Sequence, residues 1–383
     1  MEPAPAPLPS SDELRRASEA GEEERVVALV AAGAEPGAAL PSSFGRLPTH
    51  LAVLRHCTAM LRALLAAAPH TACSTDATGA TPLHLAALHG REVAAVALLQ
   101  AAPQAAIVAN TGSGRLPLHH AASQGHVALV RLLLAAAPAA ALVPDALGRL
   151  PLHLTPYARD PARSAAITSL LLAAASAAAA AAPIGGWTPL HHAAGCGCHE
   201  AARQLLLAAP QTARALDEHR QAPIHRAADA SDGAMVELLA AAAPELAHAP
   251  DAHGHSPLHL ILQSWYLPLR GCSAAFCLVR SAPAAQPALG LILAAGQPAV
   301  RLLPLLVARL ALTAAEWCLL PSPCPQLAAA LPAVVQRSAE EAGWLVARLE
   351  EQQRARLLAA ALCLSAVGLP RDAASRILPL CLT

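Results

Sequence analysis

Leucine pairs and triplets return along the chain at a near-constant distance behind shorter, proline-led runs of small apolar residues, with polar turn residues between the two kinds of run. The leucine blocks are Leu64-Leu65, Leu98-Leu99, Leu132 to Leu134, Leu205 to Leu207 and Leu238-Leu239, and each gives way to a proline, at Pro69, Pro103, Pro138, Pro210 and Pro244. The proline-led runs are LPTHLAV from Leu47, TPLHLAA from Thr81, LPLHHAA from Leu116, LPLHLTP from Leu150, TPLHHAA from Thr188, APIHRAA from Ala222 and SPLHLIL from Ser256. Their histidines, His50, His84, His119, His153, His191, His225 and His259, are separated by 34, 35, 34, 38, 34 and 34 residues. A fixed period in this range predicts a stack of like units, because one unit cannot bury its apolar face alone.

Each unit has an internal order. Asp76, Asp145, Asp217 and Asp251 lie six residues before the proline, and Gly45, Gly79, Gly114, Gly148, Gly186 and Gly254 lie three before it, which together read as a turn. The proline opens a first helix at the position where its missing N–H is harmless. Small pairs such as Ala86-Ala87, Ala121-Ala122 and Ala193-Ala194 let that helix sit close to its neighbours, and the leucine block forms the second helix. Thr or Ser at the head of the phrase is expected to cap the first helix. Leu47, Leu116, Leu150 and Ala222 cannot, at an expected cost of about 1 kcal/mol each unless packing offsets it.

The phrase resembles that of the ankyrin repeat, T-P-L-H-x-A, over about seven tenths of the chain. The resemblance implies an all-α solenoid of paired antiparallel helices with turn fingers, in which the phrase histidines hydrogen-bond across turns and between units. A unit ahead of the first full phrase spans Leu14 to Pro36, with Arg15 in the histidine position, Ser10 and Glu13 as a capping box, and the acidic run Glu22 to Glu24 outside, giving eight repeats. The expected organisation is an N-terminal tail over 1–9, a repeat array over 10–285 and a helical cap or interaction segment over 286–383. The fifth unit holds an alanine run, Ala173 to Ala182 broken by Ser176, expected to lengthen its second helix or loop, and an insertion with Trp265 and Tyr266 falls near 263–271.

Beyond residue 286 the phrase stops. Thr313 with Glu316 and Ser338 with Glu341 are helix-start patterns, and Leu345, Val346, Leu349, Leu357, Leu358, Ala361 and Leu362 fit one helix ending near Gly368. The stretch Leu289 to Leu312 is apolar, which raises a membrane-tethered regulator as an alternative, yet Arg301, Arg309, Pro298 and Pro304 interrupt it. The closing LPRDAASRIL resembles the opening helix of an F-box, which would make the chain a substrate adaptor for a ubiquitin ligase, although few residues follow it.

Composition narrows the chemistry. The chain has 383 residues, 55% hydrophobic and only 2% aromatic, with equal numbers of acidic and basic side chains and no lysine, so it carries no electrostatic footprint for nucleic acid. The acidic, Pro-rich start MEPAPAPLPSSDE lacks the regions of a signal peptide, which makes a cytoplasmic location, with the nucleus as the other option, the expectation. No phosphate-binding Gly-Lys loop, H-E-x-x-H pair, G-x-S-x-G elbow or EF-hand loop occurs, so no enzyme activity and no cofactor is expected. His191, His192, Cys196, Cys198 and His199 form the densest ligand-like group, but phrase positions account for both leading histidines, and no metal is assigned.

By the resemblance, a protein partner would meet the turn tips and the exposed, concave side of the first helices. In this register those positions hold Phe44, Arg46, Arg55, His89, Arg115, Gln124, Arg149, Tyr157, Trp187, Glu218, His219, Gln221, Asp229, His253 and His255. Gly-Arg-Leu-Pro recurs at Gly45, Gly114 and Gly148, so Arg46, Arg115 and Arg149 are expected to project from equivalent tips toward a partner with acidic segments.

Overall fold

A computed structural model describes residues 11–37, 44–158, 160–183, 185–263, 275, 278–279, 285–295 and 299–357. The chain divides into two compact units, 1–218 and 219–383.

In the first unit helices come in pairs: α1 (Ser11–Ala20) with α2 (Glu23–Ala31), α3 (Pro48–Leu54) with α4 (Thr58–Ala67), α5 (Pro82–His89) with α6 (Glu92–Ala101), α7 (Pro117–Gln124) with α8 (Val127–Ala136), α9 (Pro151–Leu154) with α10 (Pro161–Ala174), and α11 (Pro189–Gly195) with α12 (His199–Ala208). First helices pack on first helices, α5 between α3 and α7, and second helices on second helices, α6 between α4 and α8. Alanine makes the first row possible: Ala86, Ala87, Ala121, Ala122, Ala193 and Ala194 are fully buried and hold neighbouring backbones close. In the second row each of these repeats encloses at least one leucine completely: Leu61 and Leu64, Leu98, Leu129 and Leu133, Leu171, and Leu205.

The two helices of a pair meet at a left-handed residue, Gly90, Gly125 or Gly197, and at His56 in the second pair. The next residue's N–H reaches back to the fifth carbonyl before it, as in Arg91 to Ala86 and His126 to Ala121, closing the helix end. The prolines expected to stop the second helices do so, and each also opens a 3-10 turn: Pro69–Cys73, Pro103–Ile107, Pro138–Leu142 and Pro210–Arg214.

Between pairs the chain forms fingers, and adjacent fingers share a backbone hydrogen bond: Ala77 N–H to the Phe44 carbonyl (2.8 Å), Ala146 to Ser113 (3.0 Å) and Glu218 to Gly185 (3.1 Å). Gly114 is required here twice over. Its φ is +66°, and a Cβ would lie 2.7 Å from the Ala146 backbone nitrogen.

Two local expectations are corrected. The Thr hydroxyls at the phrase head do not cap the helix backbone; Thr81 and Thr188 bond instead to the Nδ1 of His84 (2.8 Å) and His191 (2.9 Å). In these phrases the backbone N–H of the head residue donates to that Nδ1, and Leu47, Leu116, Leu150 and Ala222 make the same bond, so they forfeit no helix cap relative to Thr81 and Thr188. Ser256 alone caps as expected, its Oγ accepting from the His259 N–H at 3.3 Å. The fifth unit's long second helix, α10, is extended at its start, where the short α9 and the 3-10 turn Thr155–Tyr157 precede it. The alanine run ends that helix and fills the next 3-10 turn, Ser176–Ala180, with Ala178 and Ala179 in the buried slots that Ala140 and Ala141 occupy one repeat earlier.

The second unit begins in the same style with α13 (Pro223–Asp229), α14 (Gly233–Ala242) and α15 (Pro257–Gln263). The insertion with Trp265 and Tyr266 lies outside the described residues, as do Ser10 of the N-terminal capping box and the segment LPRDAASRIL. Further on come helices Ala285–Ala295, Leu303–Arg309, Ala314–Leu319, Leu331–Arg337 and Ala339–Val346. The Thr313 and Glu316 box is formed, the backbone N–H of each end meeting the other's side chain at 2.7 and 3.3 Å, and Ser338 Oγ accepts from the Glu341 N–H. The single long helix expected after Ser338 is broken: Ala339–Val346 ends in a turn, and a new helix covers 351–357. The Arg348 carbonyl accepts from the Cys324 N–H at 2.7 Å and Leu349 is 1% exposed, so the turn is drawn inward between the helical pieces. No helix among the described residues is long and apolar enough to cross a membrane.

This last part carries an internal duplication that the phrase search misses. Leu303-Pro-Leu-Leu-Val-Ala-Arg309 matches Leu331-Pro-Ala-Val-Val-Gln-Arg337. Each copy follows a 3-10 turn, precedes a helix capped by Thr313 or Ser338, and leads to a tryptophan, Trp317 or Trp344, whose rings lie 6.3 Å apart.

Candidate partner-binding surface

The phrase histidines are joints between repeats. In His50, His84, His119, His153, His191 and His225 the Nδ1 accepts from the backbone N–H three residues before it. This fixes the proton on Nε2, which donates to a carbonyl of the following finger: His50 to Ala80 (3.0 Å), His84 to Arg115 (2.9 Å), His119 to Arg149 (3.0 Å) and His153 to Ala181 (3.1 Å). In the second unit His225 reaches Ala249 in the same way at 3.0 Å. Burial favours the neutral form of His50, His84, His119 and His153, pushing His119 and His153 down to about 4 against the opposing pull of their backbone acceptors.

The finger aspartates organise the turns. One Asp145 oxygen accepts from the backbone N–H groups of Leu147 and Arg149 at 2.9 Å, and Asp76 does the same for Thr78 and Ala80. The second oxygen takes a side chain from the finger before it: Arg46 reaches Asp76 and Arg115 reaches Asp145, both at 3.4 Å, and Gln221 reaches Asp251 at 2.8 Å. Arg149 turns back to its own Asp145 at 2.8 Å. Burial opposes charge on Asp145, but the Arg149 side chain and the turn N–H groups outweigh it and keep the carboxyl below its ordinary range. Asp251, through Gln221 and the N–H groups of His253 and His255, falls to about 2.

The expected row of freely projecting arginines is therefore a row of latches: Arg46, Arg115 and Arg149 expose only about a quarter of their side chains and lie against neighbouring carboxylates. Arg55 reaches the end of α1, bonding to the carbonyls of Glu19 and Ala20. Phe44, at a finger tip with φ +55°, is 68% exposed, and the Arg46 guanidinium lies over its ring at 5.7 Å. His89 and Gln124 are exposed at the ends of α5 and α7. In the second unit His219, His253 and Asp229 are exposed, and the rings of His219, His253, His255 and His259 follow one another at 6.2, 6.1 and 4.4 Å.

Two predicted residues distant in sequence are brought together around a third, His192, which the sequence places only at a phrase position and in the ligand-like group. His192 follows the phrase histidine in α11 and is 7% exposed. The Tyr157 hydroxyl meets its Nδ1 at 2.9 Å with rings 5.7 Å apart, the Trp187 ring lies 5.2 Å away, and His153 stands edge-on at 5.9 Å. The result is an aromatic notch with His192 as floor and Tyr157, 49% exposed, as one wall. A usable signal was present: the residue after the phrase histidine is apolar in most units but is His120, His192 and Arg226 in three. His120 takes the equivalent place against His84, with rings 5.8 Å apart.

The ligand-like cysteines separate. Cys198 is buried with its Sγ 3.5 Å from the Pro156 carbonyl, while Cys196 is exposed, and no group of three or more His, Cys, Asp or Glu among the described residues could hold a metal ion.

Three family models match the chain: ankyrin repeats in three copies over residues 14–108, ankyrin repeats in many copies over 98–154, and a single ankyrin repeat over 185–214. None of the curated proteins compared with the chain matches it.

Proposed function

Since the chain is an ankyrin repeat protein, its matched repeats lying within residues 14–214, we propose that it is a non-catalytic scaffold that holds a partner protein against the side lined by its first helices. Ankyrin repeats are generally protein–protein interaction modules, and the fold alone names no partner. The observation that carries the reading is the double engagement of His50, His84, His119, His153 and His225, whose two ring nitrogens are both held by backbone groups. Five of the chain's eighteen histidines thus serve as joints, while His89, Gln124 and Tyr157 offer exposed side chains along the same row of helices.

In this reading the array covers 10–285, the helices of 286–383 cap it or deliver the bound partner to a second protein, and the setting is cytoplasmic. Cross-linking of the affinity-captured full chain tests it. Partner cross-links concentrated on the finger tips and on His89, Gln124 and Tyr157 support the scaffold reading. Cross-links confined to the outer side of the second helices, at Arg131 and Arg203, refute it.

A further inference from the structure

The aromatic notch and the latch beside it define a more specific partner chemistry, resting on the interaction-module reading above. Tyr157 ends a 3-10 turn found in the fifth repeat in place of the second half of a first helix, so its ring leans over α11 instead of continuing α9. Trp187 occupies the slot two residues before the phrase proline, where other repeats place Arg46, Arg115, Arg149 or Gln221. Tyr157 and Trp187 both pack on His192, in a chain that is only 2% aromatic. The exposed faces and edges of these rings offer a further aromatic side chain the offset and edge-to-face contacts that rings prefer.

The charge next to the notch sets the rest. Arg115 and Arg149 converge on the single carboxylate of Asp145, whose side chain is 1% exposed against 27% and 22% for the two arginine side chains. The arithmetic is two positive charges to one negative, and the charge that faces solvent is positive. Both arginines act on the Tyr157 hydroxyl, opposing the rise that burial and Cys196 impose on it. On the other side, Glu218 is bonded through its N–H to Gly185, and its carboxylate and the Trp187 ring lie 3.7 and 3.9 Å from the point a Gly185 Cβ would occupy. A cationic side chain beside Tyr157 would be repelled by the arginine pair, and an acidic one would be attracted by it.

We propose that the Tyr157, His192 and Trp187 notch receives an aromatic side chain from an extended segment of a partner protein, and that a carboxylate on one side of that aromatic, and only that side, meets Arg115 and Arg149. The arginine pair gives the groove a direction, because the reversed segment would carry its acid away from Arg115 and Arg149.

Selection of a random displayed peptide library on the full chain tests this, followed by fluorescence anisotropy of a labelled enriched peptide. The expected outcome is enrichment of an aromatic residue with Asp or Glu on one fixed side. Tyr157→Ala with Trp187→Gln should weaken the peptide at least about tenfold. Arg115→Gln with Arg149→Gln should weaken it about threefold or more and flatten its salt dependence. Glutamine is chosen because Gln221 already latches Asp251 from the same slot, so the charge is removed while the finger contact is kept; unchanged circular dichroism verifies the fold. Peptides that bind the Tyr157→Ala, Trp187→Gln chain as tightly as the parent overturn the notch and leave the interaction-module reading in place. Enrichment of Lys or Arg beside the aromatic overturns the charge assignment. A chain that enriches no peptide and captures no protein removes both readings.

Discussion

At the scale of single residues, the histidines set the response to acid. His119 and His153 stay neutral in the fold with values of about 4, whereas in the unfolded chain they protonate near 6.5, so between those values the unfolded state holds more protons. Their contribution is complete above pH 6.5 and is lost as pH falls toward 4, at roughly 2 kcal/mol each between pH 7 and pH 5. A melting series over that interval should fall steeply, and the double variant His119→Gln, His153→Gln should be less stable at pH 7 but show a shallower slope. An equal slope in parent and variant would contradict this assignment. A second expectation concerns His56, which takes φ +63° at a corner where Gly90, Gly125 and Gly197 stand in other repeats. His56→Gly should raise stability by about 1 kcal/mol in thermal unfolding. The joint histidines were legible in the sequence from their period. The role of the phrase threonine was not, because a hydroxyl at a helix start reads as a cap until the neighbouring imidazole is seen to take it.

Among elements, the fingers are held by a backbone bond, a turn-capping carboxylate and a side-chain latch. Replacing Asp145 by Ala removes the acceptor of two turn N–H groups and two guanidinium groups, and should cost more stability than Arg46→Ala, Arg115→Ala and Arg149→Ala do singly. The latches are partly exposed, so each arginine change should cost about 0.5–1 kcal/mol. Denaturant midpoints of the four variants decide the ranking. Gly114→Ala should cost at least about 2 kcal/mol, from the strained φ and the contact with the Ala146 nitrogen. The turn itself was readable from Asp and Gly at fixed offsets. The latch was readable in principle, since Arg46 to Asp76, Arg115 to Asp145 and Gln221 to Asp251 are each 30 residues apart. It was missed because an arginine at a loop tip reads as exposed when only its own repeat is considered. The broken helix after Ser338 was hidden for another reason: Leu345, Val346 and Leu349 keep a helical spacing through a turn whose cause is the distant Cys324 N–H.

For the molecule as a whole, coupling between repeats passes through neighbours. Leu133→Ala empties a fully enclosed site in α8 and should cost about 2–5 kcal/mol. In hydrogen exchange the loss of protection should be largest in α6, α8 and α10, which pack side by side, and peptides from 299–349 should exchange as in the parent. The repeat architecture was plain in the sequence because its period is carried by core residues. The aromatic notch was only half legible: Tyr157 and Trp187 were on the expected face, but their meeting at His192 depends on four extra residues in the spacing from His153 to His191. The histidine joints also bear on how the protein is made. The Nε2 protons of His50, His84, His119, His153 and His225 are given to carbonyls 24 to 31 residues further along the chain. A repeat leaving the ribosome therefore carries one buried donor without its acceptor until the next finger has emerged, so completion of the fold trails synthesis by one repeat.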